Sequence, residues 1–231
     1  MLIGMHVNVV MASTEQPISF LQYDTQWGDI PYTSCSNSRQ TIGNSGCGPT
    51  AMAMVIHYYA DETITPIETA KYAVENGYRT YNSGTAHGFF GSMAKKYDIE
   101  YLDTYSSAEA FEWMKTKTDP LIICSMGPGL WTNNGHFILV WNIDEYNNVD
   151  INDPGSTQEC RIRNSFTNLT NSSKRYFCFN KTEMYGWFDM IVPNYSIYNM
   201  QNVLQPYLTD SYISLINTTI SEFYIEHPYL P

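Results

Sequence analysis

Apolar residues change their spacing part-way along this chain, and the change marks out two kinds of element. Up to about residue 117 they recur at helical intervals; beyond it they run together or alternate, as in buried strands. The densest apolar run, Ala51 to Tyr59, follows directly on Gly46-Cys47-Gly48-Pro49. Pro49 has the φ of a first helical turn and lacks an N–H that would go unpaired there. A helix therefore opens at Cys47 and runs to about Ala60, after a loop-like stretch from 29 to 46. Thr65-Pro66-Ile67-Glu68 carries a fuller start signal. Thr65 is the cap, Pro66 takes the first helical position, Glu68 closes a capping box, and Gly77 is the stop. Ala70, Ala73 and Val74 form the inner face of that helix. Thr85 caps a third helix through Phe89, Phe90, Met93 and Tyr97. Ser106 with Glu109 opens a fourth, through Phe111, Trp113 and Met114 to Lys117.

Strand patterns take over from there. Leu121 to Cys124 reads as a buried strand, Gly127-Pro128-Gly129 as a turn, and His136–Ile143, Val149–Asn152 and Tyr176–Phe179 as further strands. Helices first and strands after, without βαβ alternation, predict an α+β fold with a mostly antiparallel sheet. The chain has 231 residues, enough for one large domain. Residues 1–14 have the look of a leader remnant, with Val10-Met11-Ala12 as a cleavage-like site but no basic start. Residues 15–184 form the expected domain. Residues 185–231, rich in Tyr and Asn, are expected to be a C-terminal extension packing on it.

Composition narrows the partners. Twelve Lys and Arg against 23 Asp and Glu give a formal charge of −11, which argues against nucleic acid or an anionic membrane surface. No apolar run reaches the length of a membrane span. Only 15% of residues are charged, so the surface is built from Asn, Ser, Thr and Tyr, a composition that points to a secreted or extracytoplasmic protein. Five cysteines (Cys35, Cys47, Cys124, Cys160, Cys178) lack the spacing of a zinc site or a disulfide framework. Their odd number leaves at least one free thiol, and Cys47 is the expected one. Cys160 and Cys178 either pair across the intervening loop, in an oxidising compartment, or stay as two thiols.

Cys47 is the candidate nucleophile. At a helix N-terminus the dipole and unpaired N–H groups favour the thiolate. Gly46 and Gly48 leave room for another backbone to approach the sulfur. The competing reading is an inert buried thiol. A nucleophilic cysteine needs a base. His6 lies in the leader region and His227 near the end of the chain. His57 is ten residues further along the same helix, about 15 Å away at the helical rise. His87 belongs to a helix start. His136 remains: it begins a strand after a Gly-rich loop, where an imidazole faces a cleft while the strand holds it. Asp153, 17 positions on, can be brought beside His136 by a hairpin to orient the ring. Asn152 and Asp150 are alternative orienters, and Asp153-Pro154-Gly155 also reads as an ordinary turn.

At these residues the chain resembles the bacteriocin-processing-type cysteine peptidases, in particular their stand-alone, extracytoplasmic relatives with a papain-like fold. The resemblance runs from about Phe20 to Asn180. It rests on Gln22-x-Asp24-x-x-Trp27, Thr41-Ile42-Gly43 to Ala53, the Gly84-Thr85 turn, Gly127 to Val140, and Asn152-Asp153-Pro154. It implies a Cys47–His136–Asp153 triad hydrolysing peptide bonds of a peptide or protein substrate through an acyl-enzyme, with no metal or organic cofactor. It also implies a glutamine at the oxyanion hole, with Gln22 preferred and Gln40, seven residues before Cys47, as second choice. Asp24 and Trp27 read equally as packing residues. The chain departs from transporter-linked members in having neither membrane spans nor a nucleotide-binding domain after residue 180, so cutting of leader peptides during export is not implied. A cell-wall amidase or endopeptidase of the NlpC type and an acyl-transfer enzyme are rivals on the same fold. NlpC-type enzymes commonly orient the base with a second histidine, which the strand after His136 lacks. An inactive papain-fold binding module is the rival from another class.

Overall fold

The computed structural model describes residues 15–37, 39–81 and 84–182. The expected leader remnant and the whole of the expected C-terminal extension lie outside them, as do His6 and His227. A short turn of helix, α1 (Ile42–Ser45), runs into α2 (Cys47–Tyr59), with only Gly46 between them. Every residue of α2 from Gly48 to Ile56 is buried, which is why the sequence is apolar all round and not on one stripe. α3 (Pro66–Glu75) packs on it, opened by the expected capping box: the Thr65 N–H donates to Glu68 Oε2 at 2.9 Å. Gly77 ends this segment at φ +74°, a conformation that favours glycine. A two-residue hairpin, β1 (Arg79–Thr80) with β2 (Gly84–Thr85), leads to α4 (Gly88–Lys96).

The remaining elements are β3 (Ile99–Thr104), α5 (Ser107–Thr116), β4 (Leu121–Met126), β5 (His136–Ile143), β6 (Asn148–Asn152), α6 (Glu159–Ile162), β7 (Arg163–Ser165), α7 (Phe166–Ser172) and β8 (Ser173–Lys181). Six strands form one sheet in the order β3-β8-β4-β5-β6-β7, and every neighbouring pair is antiparallel. Strand alternation sorts its side chains into two cores. Leu121, Ile123, Leu139, Phe177 and Phe179 face the helical half and join Met52, Val55, Phe89 and Phe90. Ile122, Cys124, Ile138, Val140 and Cys178 face the other way and are covered by Ala110 and Met114 of α5 and Leu169 of α7. Burial on both faces explains the unbroken apolar run Leu121–Cys124. The fold is α+β and papain-like, a helical half packed on a mostly antiparallel sheet.

Four sequence expectations need correction or completion. Thr85 does not cap a helix: it is buried in β2, where its hydroxyl meets the Tyr32 hydroxyl at 2.6 Å, and α4 opens two residues later at His87. β3 has no clear sequence pattern, because it is the sheet's edge and only its two ends, Ile99 and Thr104, are buried. The capping box at α5 is relayed: Ser106 accepts from the Glu109 N–H, but Glu109 binds Thr104, whose hydroxyl takes the Ser106 N–H. Cys160 and Cys178 do not pair, since Cys160 is exposed on α6 and Cys178 is buried in the sheet. No described helix is long and apolar enough to cross a membrane.

Candidate active site

The site is assembled by a segment that precedes both halves of its chemistry. Residues 28 to 32 run antiparallel to 40–43: the Tyr32 N–H donates to Gln40, Ile42 to Ile30, and Gly43 to Gly28. Gly43 is required here, because a Cβ would fall 2.8 Å from the Gly28 carbonyl. Gln22 then touches both sides of the site. Its backbone N–H donates to the Pro154 carbonyl at 2.8 Å, and its side-chain Nε2 to the Gly43 carbonyl at 2.7 Å. Trp27, buried against Phe20, donates its indole N–H to the Leu21 carbonyl, so it is a packing residue. Asp24 caps a turn through the Gln26 N–H.

Cys47 is the first residue of α2, partly accessible, with its backbone N–H in the unpaired first turn. The flanking glycines serve packing and not access. A Cβ on Gly48 would meet Thr85 Oγ1 at 2.7 Å, and one on Gly46 would meet the Ile42 carbonyl at 2.6 Å. They let the helix tip sit against the β2 hairpin and α1. The His136 imidazole hydrogen-bonds the Cys47 sulfur. Its Nε2 is 2.6 Å from Asp153 Oδ1, which leaves Nδ1 for the sulfur. Asp153 reaches this position as the sequence spacing requires. β5 and β6 pair with Leu139 opposite Asn152, and the chain turns at Asp153-Pro154-Gly155 just beyond. The turn itself aims the carboxylate, since the Gly155 N–H donates to Oδ1 at 2.8 Å. Asp153 is thus both the turn residue and the ring's partner.

The electrostatics follow from these contacts. Burial alone would push the Cys47 thiol up, but the His136 hydrogen bond and charge, with the Phe137 and Gly48 N–H groups, bring it below its ordinary value. Burial alone would lower His136, but its bonds to Asp153 and to the Cys47 sulfur raise it to about 9. Thiolate and imidazolium therefore stabilise each other. The sheet cysteines contrast with this: burial raises Cys124, and pushes Cys178 up to about 12.

The other candidates fall elsewhere. Asn152 donates to the Pro17 carbonyl at 3.0 Å, and Asp150 binds Asn142 and Arg163, so neither faces His136. Gln40 accepts from Arg79 at 2.7 Å. His57 packs edge-on against Phe20. His87 is the residue at the start of α4, with Nε2 3.4 Å from Ser125 Oγ and Nδ1 3.2 Å from Arg175. Burial, then the Arg175 charge, lowers its pKa. One residue that sequence reasoning missed stands against the site. Arg161 of α6 places Nε and Nη2 at 2.7 and 2.6 Å from Asp153 Oδ2. Among the described residues no group of three or more His, Cys, Asp or Glu is arranged to hold a metal ion.

The papain-like fold brings a thiol, an imidazole and a carboxylate together at one site, and comparison with known families shows which family the chain belongs to. The model of the Peptidase_C39 like family matches residues 25–184, and the chain belongs to that family. Solved structures similar to it include the peptidase domain of Streptococcus ComA, a bifunctional ABC transporter involved in quorum sensing. That match has 21% identity and a TM-score of 0.43, and covers 59% of this chain and 90% of that one. A protein from Bacillus anthracis assigned as a C39-like peptidase matches at 16% identity and TM-score 0.48, covering 73% of this chain and 100% of that one. A double glycine motif protease from an AMS/PCAT transporter, solved in complex with a leader peptide, matches at 21% and 0.43, covering 59% and 84%. No curated protein sequence matches the chain.

Proposed function

We propose that the chain is a cysteine peptidase that hydrolyses peptide bonds through Cys47, His136 and Asp153, with Gln22 at the oxyanion hole. The observation that carries this reading is the continuous line from the helix-tip sulfur through the imidazole to a carboxylate whose exposure is 1%. The Cys47 thiolate attacks the scissile carbonyl carbon and forms a C–S bond. The developing oxyanion takes hydrogen bonds from the Cys47 N–H and from the Nε2 proton that Gln22 does not give to Gly43. As the C–N bond breaks, imidazolium Nδ1 gives its proton to the leaving amine, leaving a thioester. Water then attacks the thioester carbonyl, Nδ1 takes its proton, and release of the carboxylic acid restores thiolate and imidazolium. Asp153 keeps its hydrogen bond to Nε2 throughout, holding the tautomer whose Nδ1 faces sulfur.

The assignment of Gln22 over Gln40 is supported by contacts. Gln22 bridges the Cys47 approach and the Asp153 turn, whereas Gln40 is bonded to Arg79. The test is to profile a peptide library and purified cell-wall fragments with wild type and Cys47→Ala. Cleavage of peptides that disappears in the variant is the expected result. Cleavage confined to cell-wall fragments would move the reading to an amidase or cell-wall endopeptidase. Equal products from both proteins would end the nucleophile assignment.

A further inference from the structure

We infer that Arg161 is a positioning residue for the Asp153–His136 pair, so that the site works as four residues and not three; the inference rests on the peptidase reading above. Asp153 has no exposed side-chain surface, and its four close donors divide evenly between its two oxygens. Oδ1 accepts from His136 Nε2 at 2.6 Å and from the Gly155 N–H at 2.8 Å. Among the described residues, Oδ2 is met by Arg161: Nε donates to it at 2.7 Å, and Nη2 lies 2.6 Å away as an ion-pair contact. A buried carboxylate with one oxygen bare would bear the desolvation cost of an unpaired charge. Here the guanidinium supplies both the counter-charge and the second half of the hydrogen-bond set.

The same guanidinium reaches the loop that delivers the imidazole. Arg161 Nη2 donates to the Trp131 carbonyl at 2.8 Å, and the Trp131 indole N–H donates back to the Arg161 carbonyl at 3.0 Å. Trp131 is buried, in the loop that ends at His136. One side chain thus ties the Gly-rich loop ahead of His136 to the turn that carries Asp153.

The electrical consequence is specific. Asp153 with Arg161 is a neutral unit, so His136 receives an oriented hydrogen bond without the full attraction of a bare buried carboxylate. The charged and titratable groups around the pair can be named. Cys47 of α2 and Arg161 of α6 face it; Glu159 of α6 is exposed, and Arg163 of β7 is occupied by Asp144 and Asp150. Asp24, on the segment laid across Pro154, is held by the Gln26 N–H.

The experiment follows the His136 ring signal by NMR across pH in full-length protein with carbon-labelled histidine. Assignment comes from the signal's loss in His136→Gln, and Cys47 alkylation by iodoacetamide is measured in parallel. In R161Q the apparent His136 pKa should rise by about one unit, the scale of one lost neighbouring charge, while R161K stays near wild type. A folded R161Q with an unmoved His136 titration would overturn the inference. Should R161Q fail to fold, D153N/R161Q decides. A folded double variant upholds the role, because only the stranded Asp153 charge then made the single variant unfold; an unfolded one overturns it. Wild type reports separately on the peptidase reading. An ordinary His136 pKa with Cys47 alkylated no faster than a free thiol would sink that reading, whereas an intact wild-type ion pair with an unmoved R161Q sinks only the role of Arg161.

Discussion

Gly155→Ala separates stability from chemistry in one substitution. The residue sits across from His136, and a Cβ built there would lie 3.2 Å from both Cε1 and Nε2 of the imidazole and 3.4 Å from Asp153 Oδ1. The backbone at Gly155 is not in the left-handed region, so alanine meets no conformational penalty, and stiffening the unfolded chain contributes about 0.4–1 kcal/mol of stability. Against this stands a contact that is short by a few tenths of an ångström. The turn cannot retreat, because the Gly155 N–H holds Asp153 Oδ1 and Pro154 holds Gln22. The ring must therefore shift away from Asp153, and small misplacements of reacting groups are costly. The expectation is a melting temperature at or slightly above wild type and a kcat/KM about tenfold lower, equivalent to about 1.4 kcal/mol of barrier. The assay pairs thermal denaturation with hydrolysis of the best substrate from the library and with iodoacetamide alkylation of Cys47. Activity within twofold of wild type, in a protein of unchanged stability, would refute the claim that the Asp153 turn holds His136 without slack.

Three further outcomes follow from the geometry. Activity needs the thiolate, present above the lowered Cys47 pKa, and the imidazolium, present below about 9 at His136; rate should form a plateau between them and fall as pH rises through about 9. Gln22→Ala should lower kcat roughly 100- to 1,000-fold with little change in KM, the cost of one oxyanion donor, while Gln40→Ala should leave kcat nearly intact; the reverse pattern would exchange their roles. Thr65→Ala should lower stability by about 1 kcal/mol through loss of the α3 cap, read by denaturant midpoint, without altering the pH profile.

Much of the fold was readable because its signals are local. The Cys47 helix, the Thr65 capping box and the unbroken Leu121–Cys124 run each depend on neighbours a few residues away. What escaped is set by distant partners. β3 is an edge strand whose only sheet neighbour, β8, lies some 75 residues on, and its mixed sequence has no period to read. Thr85 carries every local mark of a cap but is claimed by Tyr32, 53 positions earlier. The same division runs through the site. His136 and Asp153 share a hairpin, so the pairing of β5 with β6 brings them together from only 17 positions apart. Gln22 joins them only through contacts to Pro154 and Gly43, which no spacing rule foretells, and its candidacy came from resemblance. Arg161, eight residues after Asp153 on a four-residue helix, gives no periodic or motif signal. Only the folded turn shows where its guanidinium goes.

The sulfur and the ring that acidifies it are separated by 89 residues of chain, and the ring is held by a hairpin completed later still. During synthesis the thiol-bearing helix emerges long before its partner strand. Until that hairpin docks, Cys47 lacks the neighbour that lowers its pKa. On the peptidase reading, reactivity is therefore withheld from the nascent protein until the β5–β6 hairpin docks, so an unfinished copy is unarmed toward its own kind.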